Sequence, residues 1–212
     1  MNEYKQLILA NRAWAAEQLH DDPEYFARHL VGQKPEFLWI GCSDSRVSPD
    51  QMTQSNPGGL FIHRNVANLV SVDDLNLMAV LQYAVDVLEV PHIIICGHYG
   101  CGGIAAALDG GTTGPVHGWL QNARDVHANH ADEIAAMPDR GARVNRLVEC
   151  NVRDQLVRLA QTETVQRAFA RKTGLSLHGW VYDLRDGLLN QLVEIDAATV
   201  LDDVARPNRV LI

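Results

Sequence analysis

The spacing of apolar residues changes about one sixth of the way along the chain. From Asn2 to Leu19 apolar side chains recur at helical intervals, and Asp21-Asp22-Pro23 is typical of the start of a second helix. Beyond this point the apolar residues gather into short continuous runs, as expected of strands buried in a sheet. Three such runs follow one another: EFLWIG, GLFIHRN and HIIICG. We therefore predict an N-terminal helical arm over residues 1–34, followed by a sheet.

Helical patterns separate and follow these strands. Residues Asp73 to Leu88 predict an amphipathic helix between the second and third strands, opened by a pair of aspartates and stopped before Pro91. A strand, a crossover helix and a further strand imply parallel strands with helices on both faces of the sheet. Further helices are predicted over IAAAL after Gly103, from Val116 to Asn129, and from Arg143 to Lys172 with Gly174 as its cap.

The last strong pattern is LSLHGWVYDLRDGLLNQLVEI, which predicts two strands joined by a turn around Arg185-Asp186-Gly187. No internal repeat and no linker rich in Pro, Gly or Ser divides the 212 residues. The fold class predicted for residues 1–212 is therefore a single α/β domain. It has a mainly parallel central β-sheet flanked by helices, the N-terminal helical arm and a C-terminal antiparallel strand.

Charge and composition exclude several classes of partner. The formal net charge of −8 argues against binding to nucleic acid or to an anionic membrane surface. The N-terminus has no apolar signal-peptide core, and no apolar run reaches the length of a membrane-spanning helix. We therefore expect a cytoplasmic protein. The four cysteines, Cys42, Cys96, Cys101 and Cys150, are too few for a disulfide framework and indicate metal binding or plain burial.

Metal-ligand residues follow two of the three apolar strands. Cys42 and Asp44 come after FLWIG, and His98 and Cys101 lie within IIICGHYGCGG. Ligands of an open parallel sheet bind beyond the carboxyl ends of its strands, where these residues should meet. Two thiolates, an imidazole and a carboxylate suit tetrahedral Zn²⁺, whereas magnesium or calcium would require oxygen ligands. The sequence therefore predicts a zinc site made from these four residues.

Simpler explanations exist for each of these residues. A cysteine at the end of an apolar strand is often a small buried hydrophobe, and a single His-x-x-Cys pair is weak evidence of a metal. A closed, purely structural zinc site is the main alternative to a catalytic one. Against it, Arg46 stands two residues after Asp44, so in an extended segment the two side chains can form a bidentate pair. A carboxylate offered both zinc and an arginine would be a switchable ligand.

Three segments carry a family resemblance: CSDSRV, HRNVAN and GHYGCGG. In this order and at these separations they resemble a β-class carbonic anhydrase, and the similarity covers most of the chain. The resemblance implies a Zn²⁺ cofactor held by Cys42, His98 and Cys101, with Asp44 either a fourth ligand or the partner of Arg46. It also implies reversible hydration of carbon dioxide to bicarbonate and a proton by zinc-bound hydroxide, because zinc lowers the pKa of bound water to about 7.

Within this family the chain resembles the allosteric bacterial branch. The resemblance implies a second, inhibitory bicarbonate bound away from the zinc by Trp39, Arg64 and Tyr182, although each of these is also explicable as core packing. An arginine and a phenol can hold a small oxyanion, and an indole adds an N–H donor. The chain departs from its relatives at Ser48 and Asn56, where a proline and, in plant-like members, a glutamine are common. The carbon dioxide pocket would be lined by Phe61, Tyr83 and Gly102.

The resemblance also implies a switch and an assembly. If Asp44 moved from Arg46 to the zinc, the water position would be lost, so activity should rise steeply with pH and fall with bicarbonate. The expected partners are carbon dioxide, bicarbonate and further copies of the chain in a homodimer or homotetramer, with no nucleic acid and no membrane. Two other functions stay open at this point: a zinc-stabilised binding or redox-sensing module, and a hydrolase of carbon disulfide on the same scaffold.

Overall fold

The computed structural model describes residues 2–204. The chain divides into two compact units, one ending at Lys34 and the other beginning at Pro35. In the first unit the two predicted helices are confirmed as α1 (Glu3–Asp21) and α2 (Tyr25–His29), and no residue of α1 is buried. The single-domain organisation of residues 1–212 stays a prediction, because residues 1 and 205–212 lie outside the described part of the chain.

The second unit is built on a sheet that has five strands within the described residues. The strands are β1 (Phe37–Cys42), β2 (Leu60–Asn65), β3 (His92–His98), β4 (Ser176–Tyr182) and β5 (Leu189–Ile195). They lie in the order β2-β1-β3-β4-β5, and every pair is parallel except β4 with β5. The predicted fold class is therefore confirmed: a mainly parallel sheet flanked by helices, with an antiparallel C-terminal strand.

Helices connect and cover these strands. Before β3 come α3 (Pro49–Thr53), a 3₁₀ turn (Val66–Asn68), α4 (Leu75–Gln82) and a π-helical turn (Tyr83–Val87). Between β3 and β4 lie α5 (Gly102–Asp109), α6 (Gly114–Trp119), α7 (Gln121–Asn129), α8 (Ala131–Ala135), α9 (Arg140–Ala160) and α10 (Glu163–Ala170). The short α11 (Leu201–Val204) follows β5. None of the helices described in residues 2–204 is both long and apolar enough to cross a membrane.

The prediction of one long helix from Arg143 to Lys172 is wrong in its middle. The structure ends α9 at Ala160 and begins α10 at Glu163. Between them Thr162 is extended, with φ −64° and ψ 147°, and its hydroxyl donates to the Leu159 carbonyl at 2.7 Å. A threonine side chain that bonds to a nearby carbonyl group competes with the backbone hydrogen bonds of a helix. The helix therefore breaks here, although the apolar periodicity of the sequence continues across the break.

Two other predicted helices also differ from the structure. The helix predicted from Val116 to Asn129 is divided at Leu120, whose ψ of 0° interrupts it. The helix predicted from Asp73 to Leu88 begins at Leu75, because the Asp74 carboxylate caps it by accepting from two backbone N–H groups. Its last turn then widens into the π-helical turn.

The main core lies between the sheet and α9. It contains the inward-facing aliphatic residues of β1 and β3 and the apolar side of α9: Leu38, Ile40, Ile93, Ile95, Leu147, Val148, Val152 and Leu156. Close packing depends on Gly97 in β3, because a Cβ atom there would lie 2.7 Å from Val152 Cγ2. Since side chains alternate along a strand, a second cluster forms on the other face around Trp39, Ile94 and Cys96. The packing holds the carboxyl ends of β1 and β3 side by side.

Candidate metal centre

Two cysteines and a histidine meet at the carboxyl ends of the two central strands. Cys42 is the last residue of β1, His98 is the last residue of β3, and Cys101 caps the start of α5. Their Sγ and imidazole nitrogen atoms all lie within 4.8 Å of one another, and all three residues are buried. Parallel pairing of β1 with β3 brings the two strand ends together, as the sequence pattern predicted.

The geometry of this group fits a zinc ion. The Cys42 and Cys101 Sγ atoms are 3.9 Å apart, close to the roughly 3.8 Å that two thiolates on a tetrahedral zinc would have at a Zn–S distance of about 2.3 Å. His98 Nδ1 lies 3.2 Å from the Tyr99 carbonyl oxygen, which assigns the proton to Nδ1. Nε2 is buried without a hydrogen-bond partner, as a metal-binding nitrogen should be.

The two thiols influence each other's titration. The hydrogen bond with Cys101, and to a smaller extent the nearby His98 imidazole, lowers the pKa of Cys42 against the effect of burial. The same hydrogen bond and burial raise the pKa of Cys101. The pair therefore shares one proton and offers a thiolate near neutral pH, which is the form that binds a metal.

Asp44 lies beside this group but is held by Arg46. Arg46 donates from Nε to Asp44 Oδ1 at 2.9 Å and from Nη2 to Oδ2 at 2.8 Å, and its backbone N–H also donates to Oδ1. These bonds hold the pKa of Asp44 well below its usual range. Asp44 Oδ2 is 3.7 Å from His98 Nε2. Asp44 is therefore paired with Arg46 and lies close to the cysteine–histidine group, and its role as metal ligand or as partner of Arg46 stays a prediction.

The three residues predicted to bind a second bicarbonate are only partly brought together. Trp39 is fully buried, its Nε1 has no hydrogen-bond partner, and Tyr182 is half-buried in the same apolar cluster. The Trp39 indole lies over Gly41, where a Cβ atom would come within 2.5 Å of Nε1. Arg64 pairs with Gly41 across the strands, but its guanidinium donates to the carbonyl oxygens of Cys42 and Asp44, at 2.8 and 2.6 Å.

The predicted pocket residues occupy two places. Phe61 and Tyr83 pack together with ring centroids 5.8 Å apart, and Tyr83 remains 44% exposed. Gly102 follows Cys101 as the first residue of α5, and a Cβ atom there would meet nothing within 4 Å. Phe61 and Tyr83 therefore form one apolar surface, while Gly102 adjoins the metal group.

Sequence reasoning missed the contacts that α9 makes with the segment between His98 and Cys101. The Tyr99 hydroxyl donates to Glu149 Oε1 at 2.8 Å, and the Gly100 N–H donates to Asn145 Oδ1 at 3.1 Å. The signal available in the sequence was an asparagine and a glutamate four residues apart on a helix with a strong apolar stripe. That spacing indicates that this side of α9 makes polar contacts, but it does not identify the residues that are contacted.

A second group of metal-binding residue types is a poor cation site. His130, Glu133 and Cys150 also place ligand atoms within 4.8 Å of one another. However, Arg146 contacts Glu133 and Arg153 donates to His130 at 3.0 Å, and two nearby positive charges oppose a metal ion. The His130 side chain also contacts Asp154 and is only 16% exposed. The predicted burial of Cys96 and Cys150 is confirmed.

Comparisons with known proteins show the family to which the chain is similar. A protein-family model described as carbonic anhydrase matches residues 37–189. The carbonic anhydrase of Emericella nidulans is 43% identical over 203 residues, which cover 96% of this chain and 89% of that protein. A tetrameric β-carbonic anhydrase of Sordaria macrospora has a TM-score of 0.88 at 40% identity, over 92% of this chain and 100% of that chain. The Coccomyxa β-carbonic anhydrase solved with acetazolamide has a TM-score of 0.86 at 40% identity, over 90% and 87% of the two chains.

These matches confirm the predicted family and the prediction that the chain is an enzyme. The region matched by the family model contains Cys42, His98 and Cys101. The matches do not single out the allosteric bacterial branch, which stays a proposal. The chain belongs to the β-class carbonic anhydrase family.

Proposed function

We propose that this chain catalyses the reversible hydration of carbon dioxide to bicarbonate and a proton with Zn²⁺ bound by Cys42, His98 and Cys101. The observation that carries the proposal is the buried group of two thiols and an unpartnered imidazole nitrogen at the ends of β1 and β3. When bound, zinc supplies a Lewis acid that lowers the pKa of a coordinated water to about 7, so that a nucleophile is available at neutral pH.

The protein's part in this reaction begins with holding the ligands still. The Tyr99 carbonyl oxygen accepts from His98 Nδ1 and orients the imidazole. Arg64 binds the carbonyl oxygens of Cys42 and Asp44 and so fixes the backbone on which the first thiolate stands. Hydrogen bonds to the groups around a metal typically set the geometry and basicity of its ligands.

Asp44 and Arg46 would form a switchable catalytic pair. While Arg46 holds Asp44, the carboxylate stays ionised and can accept a hydrogen bond from the attacking water, which aims a lone pair of that water at carbon dioxide. If Asp44 left Arg46 and bound the metal, it would take the place of the water and stop the reaction. Asp44 Oδ2 is 3.7 Å from His98 Nε2, so the carboxylate would have to move only a short way to bind the same metal as His98.

The substrate pocket and the assembly follow from the same family. Phe61 and Tyr83 would offer an apolar surface to carbon dioxide, with Gly102 beside the metal. We propose a homodimer or homotetramer, which is supported by the tetrameric Sordaria macrospora relative and by apolar residues exposed on α1: Tyr4, Leu7, Ile8 and Leu9. We also propose that the protein is located in the cytoplasm.

Bicarbonate would act as an inhibitor through Trp39, Arg64 and Tyr182, as in the allosteric bacterial branch. The unpartnered Nε1 of Trp39 and the exposed guanidinium of Arg64 support this proposal, because both are donors suited to an oxyanion. Arg64 would have to exchange at least one of its carbonyl partners for the anion, which would loosen the Cys42–Asp44 segment. Inhibition would thus reach Asp44 through the backbone.

The test is stopped-flow carbon dioxide hydration by the zinc-loaded chain between about pH 6.5 and pH 9, with and without bicarbonate. We expect activity to climb with pH, and bicarbonate to suppress it most at the lower pH values. Trp39→Phe should relieve the suppression because it removes the indole donor. Trp180→Phe, in the same apolar cluster, is the matched control and should leave the suppression unchanged. A hydration rate that changes neither with pH nor with added bicarbonate would contradict the proposed regulation.

A further inference from the structure

Helix α9 holds the segment between two of the proposed zinc ligands by two polar contacts. The Gly100 N–H donates to Asn145 Oδ1 at 3.1 Å, and the Tyr99 hydroxyl donates to Glu149 Oε1 at 2.8 Å. Asn145 and Glu149 are four residues apart, so they lie on one face of α9, one turn from each other. Consecutive residues of the segment are therefore fastened to consecutive turns of the same helix.

The segment depends on such support because of its own conformation. Gly100 has a positive φ of 67°, which gives the backbone between His98 and Cys101 a sharp turn. Tyr99 sits at the start of this turn and is 4% exposed. Its N–H donates to the Tyr182 carbonyl oxygen, and its own carbonyl oxygen accepts from His98 Nδ1 at 3.2 Å. A shift of Tyr99 would therefore rotate the His98 imidazole.

Glu149 is itself fixed from the other side. It is 3% exposed, and its Oε2 accepts from Arg146 Nη1 at 2.5 Å. Arg146 in turn contacts Glu133. A buried ion pair of this kind contributes little net stability compared with apolar residues of the same size. The ion pair is better explained by its place next to the ligand segment, because it fixes the glutamate that binds Tyr99.

We propose that Glu149 and Asn145 are positioning residues for the metal centre, acting through Tyr99 and Gly100 on the orientation of His98 and the placement of Cys101. The proposal rests on the zinc site proposed above. Because the glutamate accepts from the Tyr99 hydroxyl, it fixes the carbonyl group that assigns the imidazole proton to Nδ1 and leaves Nε2 free for the metal.

The test compares zinc affinity and cobalt spectra of single variants of the full chain. Tyr99→Phe keeps the ring but loses the hydroxyl, and Asn145→Ala loses the acceptor for Gly100. We expect each to weaken zinc binding by about 10-fold or more in competition with a chelator, and to shift the thiolate and ligand-field bands of the Co²⁺-substituted protein. Glu149→Gln keeps an oxygen acceptor for the tyrosine and should stay closer to wild type than Tyr99→Phe.

The matched control is Asp154→Asn on the same helix, which breaks a pair with His130 and contacts neither Arg146 nor the ligand segment. It should alter the melting temperature but leave zinc affinity and the Co²⁺ spectrum unchanged. The proposal is overturned if Tyr99→Phe and Asn145→Ala bind zinc within about two-fold of wild type with unchanged Co²⁺ spectra. A wild-type chain that binds no zinc would overturn the proposed function and this inference together, whereas unaltered variants of a zinc-binding wild type overturn this inference alone.

Discussion

Asp44 is the residue whose contacts, in the proposed mechanism, decide between an active and a closed centre. Its two oxygens are both bound by Arg46, and the pKa of the carboxyl is lowered chiefly by those hydrogen bonds, so Asp44 stays ionised at any pH where the protein would work. The proposed pH dependence of activity therefore does not come from protonation of Asp44. It comes from competition between this carboxylate and water for the metal.

Asp44→Asn should lower kcat/KM for carbon dioxide hydration by about 100-fold, the lower end of what a positioned acid–base group contributes. The amide loses the charge-assisted pair with Arg46 and can present an N–H where an acceptor is needed. Asp86→Asn is the control, because it breaks a half-buried pair with Arg167 on another part of the unit. Zinc content should stay at one per chain in both. Stopped-flow rates within about three-fold of wild type for Asp44→Asn would contradict the role given to this residue.

The residues of the metal centre were predictable to the extent that they are local to strand ends. Cys42, His98 and Cys101 follow apolar strands directly, and parallel pairing carries those ends to one edge. The partners of Arg64 and Tyr99 were not predictable, because they join residues 22 and 50 positions apart. A carbonyl acceptor leaves no mark on a sequence, and a buried glutamate on a helix does not reveal which loop it contacts.

At the scale of elements, the contact between α9 and β3 supports the whole centre. The helix packs directly on the strand at Gly97, with Val148 and Val152 closest to that position. The same helix supplies Asn145 and Glu149 to the ligand segment one residue beyond the strand. Any change that pushes α9 away from β3 should therefore affect both stability and metal binding.

Gly97→Ala should lower the melting temperature of the zinc-loaded protein. A methyl group there would stand 2.7 Å from Val152 Cγ2, and overpacking of a core costs about 1–3 kcal/mol. For a chain of this size that corresponds to a loss of at least about 2–4 °C. Gly118→Ala, where a Cβ atom meets nothing within 4 Å, is the control and should not lower the melting temperature. Equal melting temperatures for Gly97→Ala and wild type at one protein concentration would contradict this packing.

Strands were easier to predict than helix breaks, for a physical reason. Strand boundaries coincide with changes of hydrophobic period and with Pro or Gly residues, whereas the break between α9 and α10 falls where the apolar period is unchanged. It depends on the conformation of Thr162 and its bond to the Leu159 carbonyl. Such local competition is decided by tertiary packing, which a single sequence does not contain.

For the molecule as a whole, histidines that are wholly or partly buried should make stability depend on pH. Burial lowers the pKa of His63 and of His178, and His92, 3.1 Å from His178, lowers the latter further while Glu194 opposes it. Their pKa values in the folded state thus lie below the unfolded value of about 6.5. As pH falls below that value, the unfolded chain takes up more protons than the folded one, so stability is lost.

His178→Gln should reduce the fall in melting temperature between about pH 7.5 and pH 5.5, because one partly buried site that resists protonation is removed. The difference between variant and wild type isolates this group, since loss of zinc at low pH affects both. His117→Gln, at an exposed position, is the control and should keep the wild-type slope. A slope in His178→Gln that matches wild type would mean that this histidine does not contribute.

In the proposed function, Cys42, His98 and Cys101 hold the zinc on which carbon dioxide hydration depends. The decisive measurement of this dependence is the initial hydration rate, followed by stopped flow while metal-depleted protein is titrated with zinc. We expect a rate that rises in proportion to bound zinc and stops rising at one zinc per chain, with no rise for Cys101→Ser. Full hydration activity in zinc-free protein, or one bound zinc per chain without hydration activity, would contradict the proposed function.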